Sequence, residues 1–228
     1  MMFIELFVTA GALDPAQRRR VAQRLGTIQE LGNGEPDQEQ MAPRSAAVYA
    51  DMFQVVVHEP EVWVVGEKVL TAQDPPHCLV RVHVPGPWRK DLSETLISYA
   101  TRIIADEFED GDLPYRRPTV QVHVMGVTEG SIGMLGKAAT SDDIVEMLSK
   151  PYQEDATAGK ALRDPMCGVL VPLDESTATV ELDGELFAFC CGGCRTEFLA
   201  KREKAATPSD LDRARPRPLS GVFGSRPC

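Results

Sequence analysis

The chain has 228 residues, enough for one large domain or two small ones with a sizeable core. Its 34 acidic and 24 basic residues give a formal net charge of −10, which argues against nucleic-acid binding as its main function. No stretch approaches the ~18–20 apolar residues of a membrane span. The apolar residues 2–8 are too short for a signal peptide and contain Glu5, so we expect a soluble cytoplasmic protein with reduced thiols.

The first part of the chain predicts a strand followed by a helix. Residues 2–8 are rich in Phe, Ile and Val, as strands are. Asp14 and Pro15 form a typical helix start, and apolar residues continue at helical spacing toward a glycine stop at Gly32. Residues 33–48 are mostly polar with Gly and Pro, and they predict a loop.

The same order then recurs. The apolar run 53–57 predicts a second strand, and residues 79–84 alternate as a half-buried strand does. A capping box at residues 91–94 predicts the start of another helix, and residues 119–124 predict the next strand. Both halves contain the sequence Gln-Val-x-Val. We therefore predict a duplicated β-α-β unit that forms a four-stranded sheet with two helices on one face.

The C-terminal part of the chain has a different composition. Residues 1–150 form the predicted duplicated domain, and the polar segment 151–163 is the predicted linker. Residues 164–206 contain an Asp-Gly hairpin signal between two short strands, then a helix, and form a small cysteine module. The Pro- and Arg-rich residues 207–228 predict a disordered tail. The predicted fold class is mixed α/β (α+β).

Three cysteines of the module form a candidate metal site. Cys167, Cys190 and Cys194 have the spacing C-x22-C-x3-C, which can gather three thiolates around one soft metal ion. Cys190 and Cys194 would share one face of a helix, whose positive N-terminus lowers thiol pKa values. Plain burial as a hydrophobe explains Cys78, in an apolar strand, but fits the turn-like Cys-Cys-Gly-Gly-Cys poorly. A disulfide is the weaker alternative.

The metal and its fourth ligand stay open at this point. Three thiolates suit Cu(I), whereas Zn(II) needs a fourth ligand from Cys191, a histidine, water or a partner. Neighbouring side chains on a helix point about 100° apart, so we expect Cys191 to face away from the other sulfurs. An open coordination position is what a metal carrier or sensor needs.

The duplicated unit resembles the tautomerase superfamily, the fold of 4-oxalocrotonate tautomerase and its fused relatives. The resemblance covers roughly residues 2–148 and depends on Val82–Gly86 and on Val120–Gly136 with its glycine-rich hairpin. It implies β-α-β units arranged around a central axis, with fused pairs assembling as trimers.

The catalytic residues of that family are not matched. The family uses an N-terminal proline as general base, but here Met2 begins the first strand. The equivalent stretch of the second unit, near Cys78, lies within the chain and has no terminal amine. The family's substrate-binding arginine is replaced by Gln54 and Gln121, and its aromatic residue by Ile132. We therefore expect no proline-dependent reaction, and interpret this domain as a catalytically degenerate scaffold.

The cysteine module resembles the YHS domain, which is related to the TRASH metal-binding domain. The matching residues are spread over the module: Asp164 to Gly168, Asp183-Gly184, Phe187 to Cys190, Gly193-Cys194 and Phe198. The resemblance implies a treble-clef-like unit with Cys167, Cys190 and Cys194 as metal ligands, and leaves Cys191 open. Such modules occur in copper-handling and heavy-metal proteins and as appendages of larger enzymes.

Together these patterns predict a soluble soft-metal-binding protein of the carrier or sensor type, with Cu(I) or Zn(II) as cofactor. The predicted partners are the metal ion, a metal donor or acceptor protein, and further copies of the chain in a homo-oligomer, a trimer by family resemblance. We expect neither a nucleic acid nor a membrane partner. The alternative is a tautomerase-superfamily enzyme with altered acid-base residues and a structural metal module.

Overall fold

A computed structural model describes residues 2–27, 43–174 and 177–206. The predicted tail 207–228, residues 33–42 of the predicted loop, and residues 28–32 with the predicted helix stop at Gly32 lie outside these ranges. The elements in chain order are β1 (Met2–Val8), α1 (Pro15–Leu25), α2 (Pro43–Met52), β2 (Phe53–His58), β3 (Val64–Val65), β4 (Lys68–Val69), β5 (Cys78–Pro85), α3 (Arg89–Ala105), α4 (Leu113–Arg116), β6 (Val120–Val127), β7 (Ile132–Met134), β8 (Lys137–Ala139), α5 (Ser141–Ser149), α6 (Gln153–Thr157), β9 (Ala161–Arg163), β10 (Leu170–Pro172), β11 (Ala178–Leu182), β12 (Glu185–Phe189) and α7 (Gly192–Ala206).

Four strands form the main sheet, in the order β2-β1-β5-β6. The outer pairs β1–β2 and β5–β6 are parallel, as a β-α-β crossover requires. The central strands β1 and β5 are antiparallel, with Ile4 opposite Val82. Two β-α-β units therefore meet at the middle of one sheet, which confirms the predicted duplicated unit and the mixed α+β fold class.

One face of this sheet contains the main hydrophobic core. Ile4, Leu6 and Val80 have no exposed surface, and neither do Ile103 and Ile104 of α3. Alternate residues of β1 and β5 point to this face because side chains alternate along a strand. Helices α1 and α3 pack on it, so the prediction of two helices on one face is confirmed.

The opposite face of the sheet, here called the open face, is less buried. Phe3 and Phe7 of β1 are half-buried there. Val56 on β2 is 40% exposed and Met125 on β6 is 43% exposed. Between them the Glu5 carboxylate lies 3.1 Å from the imidazole Nε2 of His83. The open face therefore combines apolar side chains with a paired charge.

Helix α2 corrects the prediction of a loop over residues 33–48, because residues 43–48 are helical. Its buried side chains are Ser45, Tyr49 and Met52, which have helical spacing. Ser45 is polar, yet it is buried because its hydroxyl donates to the carbonyl of Leu148 at 3.2 Å. A serine in the apolar stripe hides the helical period from a sequence-based prediction.

Two helix boundaries also differ from the predictions. Helix α1 ends at Leu25 and is capped by Gly26, before the predicted stop at Gly32. Helix α3 begins at Arg89, ahead of the capping box predicted at residues 91–94. A short 3₁₀ turn runs directly into α3, so no side-chain cap is needed at its start.

A second core joins the cysteine module to the rest of the chain. Its buried residues come from α2, α5, β7 and the module, and include Tyr49, Ile144, Leu148, Val171 and Cys190. The predicted linker, residues 151–163, contains α6 and β9, and β9 pairs with β10. The division of the chain into domains remains a prediction. Within the described ranges no helix is both long and apolar enough to cross a bilayer.

Candidate metal centre

A tight turn between β9 and β10 presents the first cysteine. The amide of Gly168 donates to the carbonyl of Asp164 at 2.8 Å, and the amide of Asp164 donates to the carbonyl of Val169 at 2.9 Å. Gly168 has a φ of 80°, in the left-handed region that favours glycine. The turn reverses the chain within a few residues and places Cys167 at its tip.

The Asp164 carboxylate connects this turn to the second half of the site. One of its oxygens accepts hydrogen bonds from the amides of Met166, at 2.7 Å, and Cys167, at 3.3 Å. The other oxygen accepts from the amide of Cys190 at 2.7 Å. Asp164 is only 1% exposed, and this burial raises its pKa to about 6. The carboxylate fixes the distance between the two cysteine-bearing segments.

The hairpin β11–β12 brings Cys190 to the turn. Asp183 and Gly184 at its tip both have positive φ values, 55° and 80°, as the predicted two-residue turn requires. Strand β12 ends at Phe189, and Cys190 follows directly. The Phe189 ring lies 5.2 Å from the ring of Phe198, which anchors α7 against the hairpin.

The three predicted ligands come together at this point. The sulfurs of Cys167 and Cys194 each lie 3.5 Å from the sulfur of Cys190. These sulfurs and a carboxylate oxygen of Asp164 all lie within 4.8 Å of one another. Thiolates with a neighbouring carboxylate are a donor set that suits soft and borderline metal ions, so the residues present fit Cu(I) or Zn(II).

Cys191 does not face away, contrary to the sequence-based expectation. Its sulfur lies 3.8 Å from the sulfur of Cys190. The expectation assumed that both residues are helical, but α7 begins at Gly192. The amide of Arg195 donates to the carbonyl of Cys191 at 3.3 Å, which makes Cys191 the residue that precedes the helix. From that position a side chain folds back over the first turn.

The four thiols differ in acidity. Hydrogen bonds with Cys190 and Cys194 lower the pKa of Cys167. Hydrogen bonds from Cys190 and Cys194 and from the backbone amides of the first helical turn lower the pKa of Cys191. The pKa values of Cys190 and Cys194 are raised, chiefly because each hydrogen-bonds to Cys167. Binding of a metal cation would displace the remaining thiol protons.

Two residues at the site were missed by the sequence analysis as functional residues. Asp164 was noted only as part of the module's motif, although an aspartate just before a cysteine turn is a typical acceptor for its amides. Tyr49 of α2 lies in the same core as Cys190, and burial raises the pKa of its phenol, which therefore stays neutral. No local signal in the sequence connects Tyr49 to the cysteines.

The residues that the sequence-based resemblance set against tautomerase active-site residues are either buried or uncharged. Met2 is 2% exposed at the start of β1, and Ile132 is 5% exposed in β7. Gln54 and Gln121 lie exposed on the outer strands of the sheet. Burial raises the pKa of Cys78 to about 12, so its thiol stays protonated at neutral pH.

Comparisons with known proteins concern the fold of the larger part of the chain. No protein-family model and no curated protein sequence matches the chain. Similar solved structures include native fused 4-OT, at 18% identity over 60% of this chain and 95% of the other, with a TM-score of 0.44. N1, a member of the cis-3-chloroacrylic acid dehalogenase family, is 17% identical over 68% of this chain and 99% of its own, with a TM-score of 0.45. A macrophage migration inhibitory factor-like protein from Entamoeba histolytica is 12% identical over 58% of this chain and 94% of its own, with a TM-score of 0.39. These distant likenesses carry no information about the chemistry of this chain.

Proposed function

We propose that this chain is a soft-metal-binding protein of the carrier or sensor type. It binds one Cu(I) or Zn(II) ion at the cysteine module and uses the duplicated β-α-β domain as a scaffold. The observation that carries the proposal is the meeting of Cys167, Cys190 and Cys194, whose sulfurs lie within 4.8 Å of one another beside the Asp164 carboxylate. Among the described residues, no second group of three or more such side chains is this close.

The position of the cluster within the fold supports this proposal. Cys190 is only 6% exposed, and its amide is already fixed by Asp164. Cys194 lies in the first turn of α7, where the positive end of the helix favours a thiolate. The sulfurs therefore converge without rearrangement of the backbone. The likeness of the module to YHS and TRASH domains points in the same direction, toward copper or heavy-metal handling.

The scaffold role includes assembly of several copies of the chain. The open face of the sheet exposes Val56 and Met125 by 40% and 43%, beside the half-buried rings of Phe3 and Phe7. A sheet face that exposes apolar side chains beside a paired charge is a candidate interface between protein surfaces. We propose that further copies of the chain cover it, as a homotrimer.

The oligomer is tested by Met125→Glu, which places a charge on the open face. Light scattering should show the wild type as a trimer and the variant as smaller species, because burial of an unpaired carboxylate is costly. The matched control is Leu186→Glu on β12, where the native side chain is 45% exposed and lies in the module. A monomeric wild type would contradict the assembly.

The metal site is tested by elemental analysis of the full chain purified under reducing conditions. The wild type should contain one copper or zinc ion per chain, whereas Cys167→Ser and Cys194→Ser should contain none or far less. Cys78→Ala is the matched control, since Cys78 is buried in β5 away from the cluster and should not affect the metal content. Retention of metal by both serine variants would contradict the proposed site.

A further inference from the structure

We propose that Cys191 is the fourth ligand of a tetrahedral four-thiolate site for Zn(II), and that Asp164 is a positioning residue and not a ligand. The inference deepens the proposed metal-binding function and depends on it. It decides between the two side chains that lie next to the Cys167, Cys190 and Cys194 sulfurs and could complete the coordination shell.

The Asp164 carboxylate is already occupied by hydrogen bonds to the backbone. Both of its oxygens accept amide hydrogens, from Met166 and Cys167 on one side and from Cys190 on the other. Three of its roughly four lone-pair positions are thus in use, and a shift of the carboxylate to bonding distance of a metal would weaken these hydrogen bonds in a site where Asp164 is 1% exposed. A lost hydrogen bond at a buried amide costs about 1–3 kcal/mol. The carboxylate therefore holds the ligand-bearing backbone in place.

The Cys191 thiolate can keep its hydrogen bonds to the backbone amides of the first helical turn while it binds a metal, because its sulfur has further lone pairs. It lies 3.8 Å from the Cys190 sulfur. Cys191 precedes α7, so rotation about its Cα–Cβ bond moves the sulfur without disturbing the helix. A fourth thiolate is thus available from the residue next to the central ligand.

The distances between the sulfurs agree with tetrahedral coordination. Zn–S bonds of about 2.3 Å place the sulfurs of a tetrahedron about 3.8 Å apart, whereas a flat three-sulfur site with the same bonds needs about 4.0 Å. The Cys190 sulfur has neighbours at 3.5, 3.5 and 3.8 Å, from Cys167, Cys194 and Cys191. All three distances are nearer to the tetrahedral value than to the planar one, with Cys190 next to each of the other sulfurs.

Four protein ligands leave no open position, so zinc can leave only after one thiolate detaches. Asp164 fixes the backbone amides of Cys167 and Cys190, and Cys194 belongs to the helix. Cys191 precedes the helix and does not share the Asp164 hydrogen bonds, so it is the thiolate that would detach first when metal exchanges with a partner.

X-ray absorption spectroscopy at the zinc edge of the zinc-loaded wild-type chain tests the inference without any substitution. We expect four sulfur neighbours at about 2.3 Å. Three sulfurs with one oxygen or nitrogen at about 2.0–2.2 Å would overturn the inference and leave the proposed metal-binding function standing. A chain that takes up no zinc would overturn both.

Two substitutions separate the roles of the two residues. Cys191→Ser should show three sulfurs and one lighter neighbour at zinc, whereas Asp164→Asn should keep four sulfurs and bind zinc about 10–100-fold more weakly, as expected for the loss of an outer hydrogen-bonding partner. Cys78→Ala should match the wild type in both measurements. An unchanged set of zinc neighbours in Cys191→Ser would overturn the inference. So would an oxygen neighbour that is present in the wild type and absent in Asp164→Asn, because that oxygen would belong to Asp164.

Discussion

The duplicated β-α-β domain and the cysteine module reach their structures by different means. The domain buries alternate residues of its strands against two amphipathic helices, and side chains such as Ile4 and Ile104 have no exposed surface. The module has short strands, and thiols cluster where its segments meet. Its buried residues share a core with α2 and α5. The comparison indicates that packing alone specifies the first region, whereas the second combines a shared core with the thiol cluster for which metal binding is proposed.

The largest expected effect is at the centre of the module. Cys190→Ser removes the sulfur that contacts the other three, so metal binding should be lost. Structural zinc sites contribute about 10–16 kcal/mol of binding free energy, and part of this stabilises the fold. In thermal unfolding, a chelator should lower the unfolding temperature of the wild type and leave that of Cys190→Ser unchanged. A chelator response in the variant equal to that of the wild type would contradict the comparison.

A core substitution in the sheet domain should have the opposite pattern. Ile104→Ala on α3 removes a side chain with no exposed surface and should lower the free energy of unfolding by about 2–5 kcal/mol. Its metal content should stay at the wild-type value because the cluster lies in a different core. Urea unfolding and elemental analysis check the two parts separately. A lower metal content in the folded variant would show that the two regions are coupled.

The stability of the metal-free protein should depend on pH through the titration of Asp164. Burial raises its pKa from 3.8 to about 6, so the folded state binds a proton in this window that the unfolded state does not. Stability should therefore fall as the pH rises from about 4 to about 6, by on the order of 1–3 kcal/mol. Urea unfolding across this range should show a weaker decrease for Asp164→Asn than for the wild type. Equal slopes would contradict the assignment.

The smallest expected effect is at the helix that links the two regions. The Thr140 hydroxyl accepts a hydrogen bond from the amide of Asp143 and caps α5, which packs in the second core. Thr140→Ala should lower the free energy of unfolding by about 1 kcal/mol, as the loss of an N-cap does. Differential scanning calorimetry measures the change, and metal affinity should stay the same. A fall in affinity would mean that α5 supports the metal site directly.

The main sheet was predictable because its signals are local. Residues 2–8 are rich in strand-forming side chains, residues 79–84 carry the alternation of a half-buried strand, and Asp14 caps its helix as predicted. Helix α2 was not predictable, since Ser45 occupies a buried position through a hydrogen bond to Leu148, which is distant in sequence. Tertiary structure outweighs the local pattern at that point.

The candidate site was predictable only where its signal is local in the sequence. Spacing alone indicated that Cys167, Cys190 and Cys194 converge. The orientation of Cys191 depends on the residue at which α7 begins, and helix boundaries are the least predictable feature of a sequence. The hydrogen bond from the Cys190 amide to the Asp164 carboxylate joins two segments that only the folded module brings together.

Native mass spectrometry of the full chain, purified under reducing conditions, tests the central claim most directly. The account predicts one zinc or copper ion per chain and a corresponding loss of mass after chelation. Cys78→Ala should lose the same mass, whereas the mass of Cys190→Ser should not change. A wild-type chain that carries no metal after incubation with either ion would contradict it.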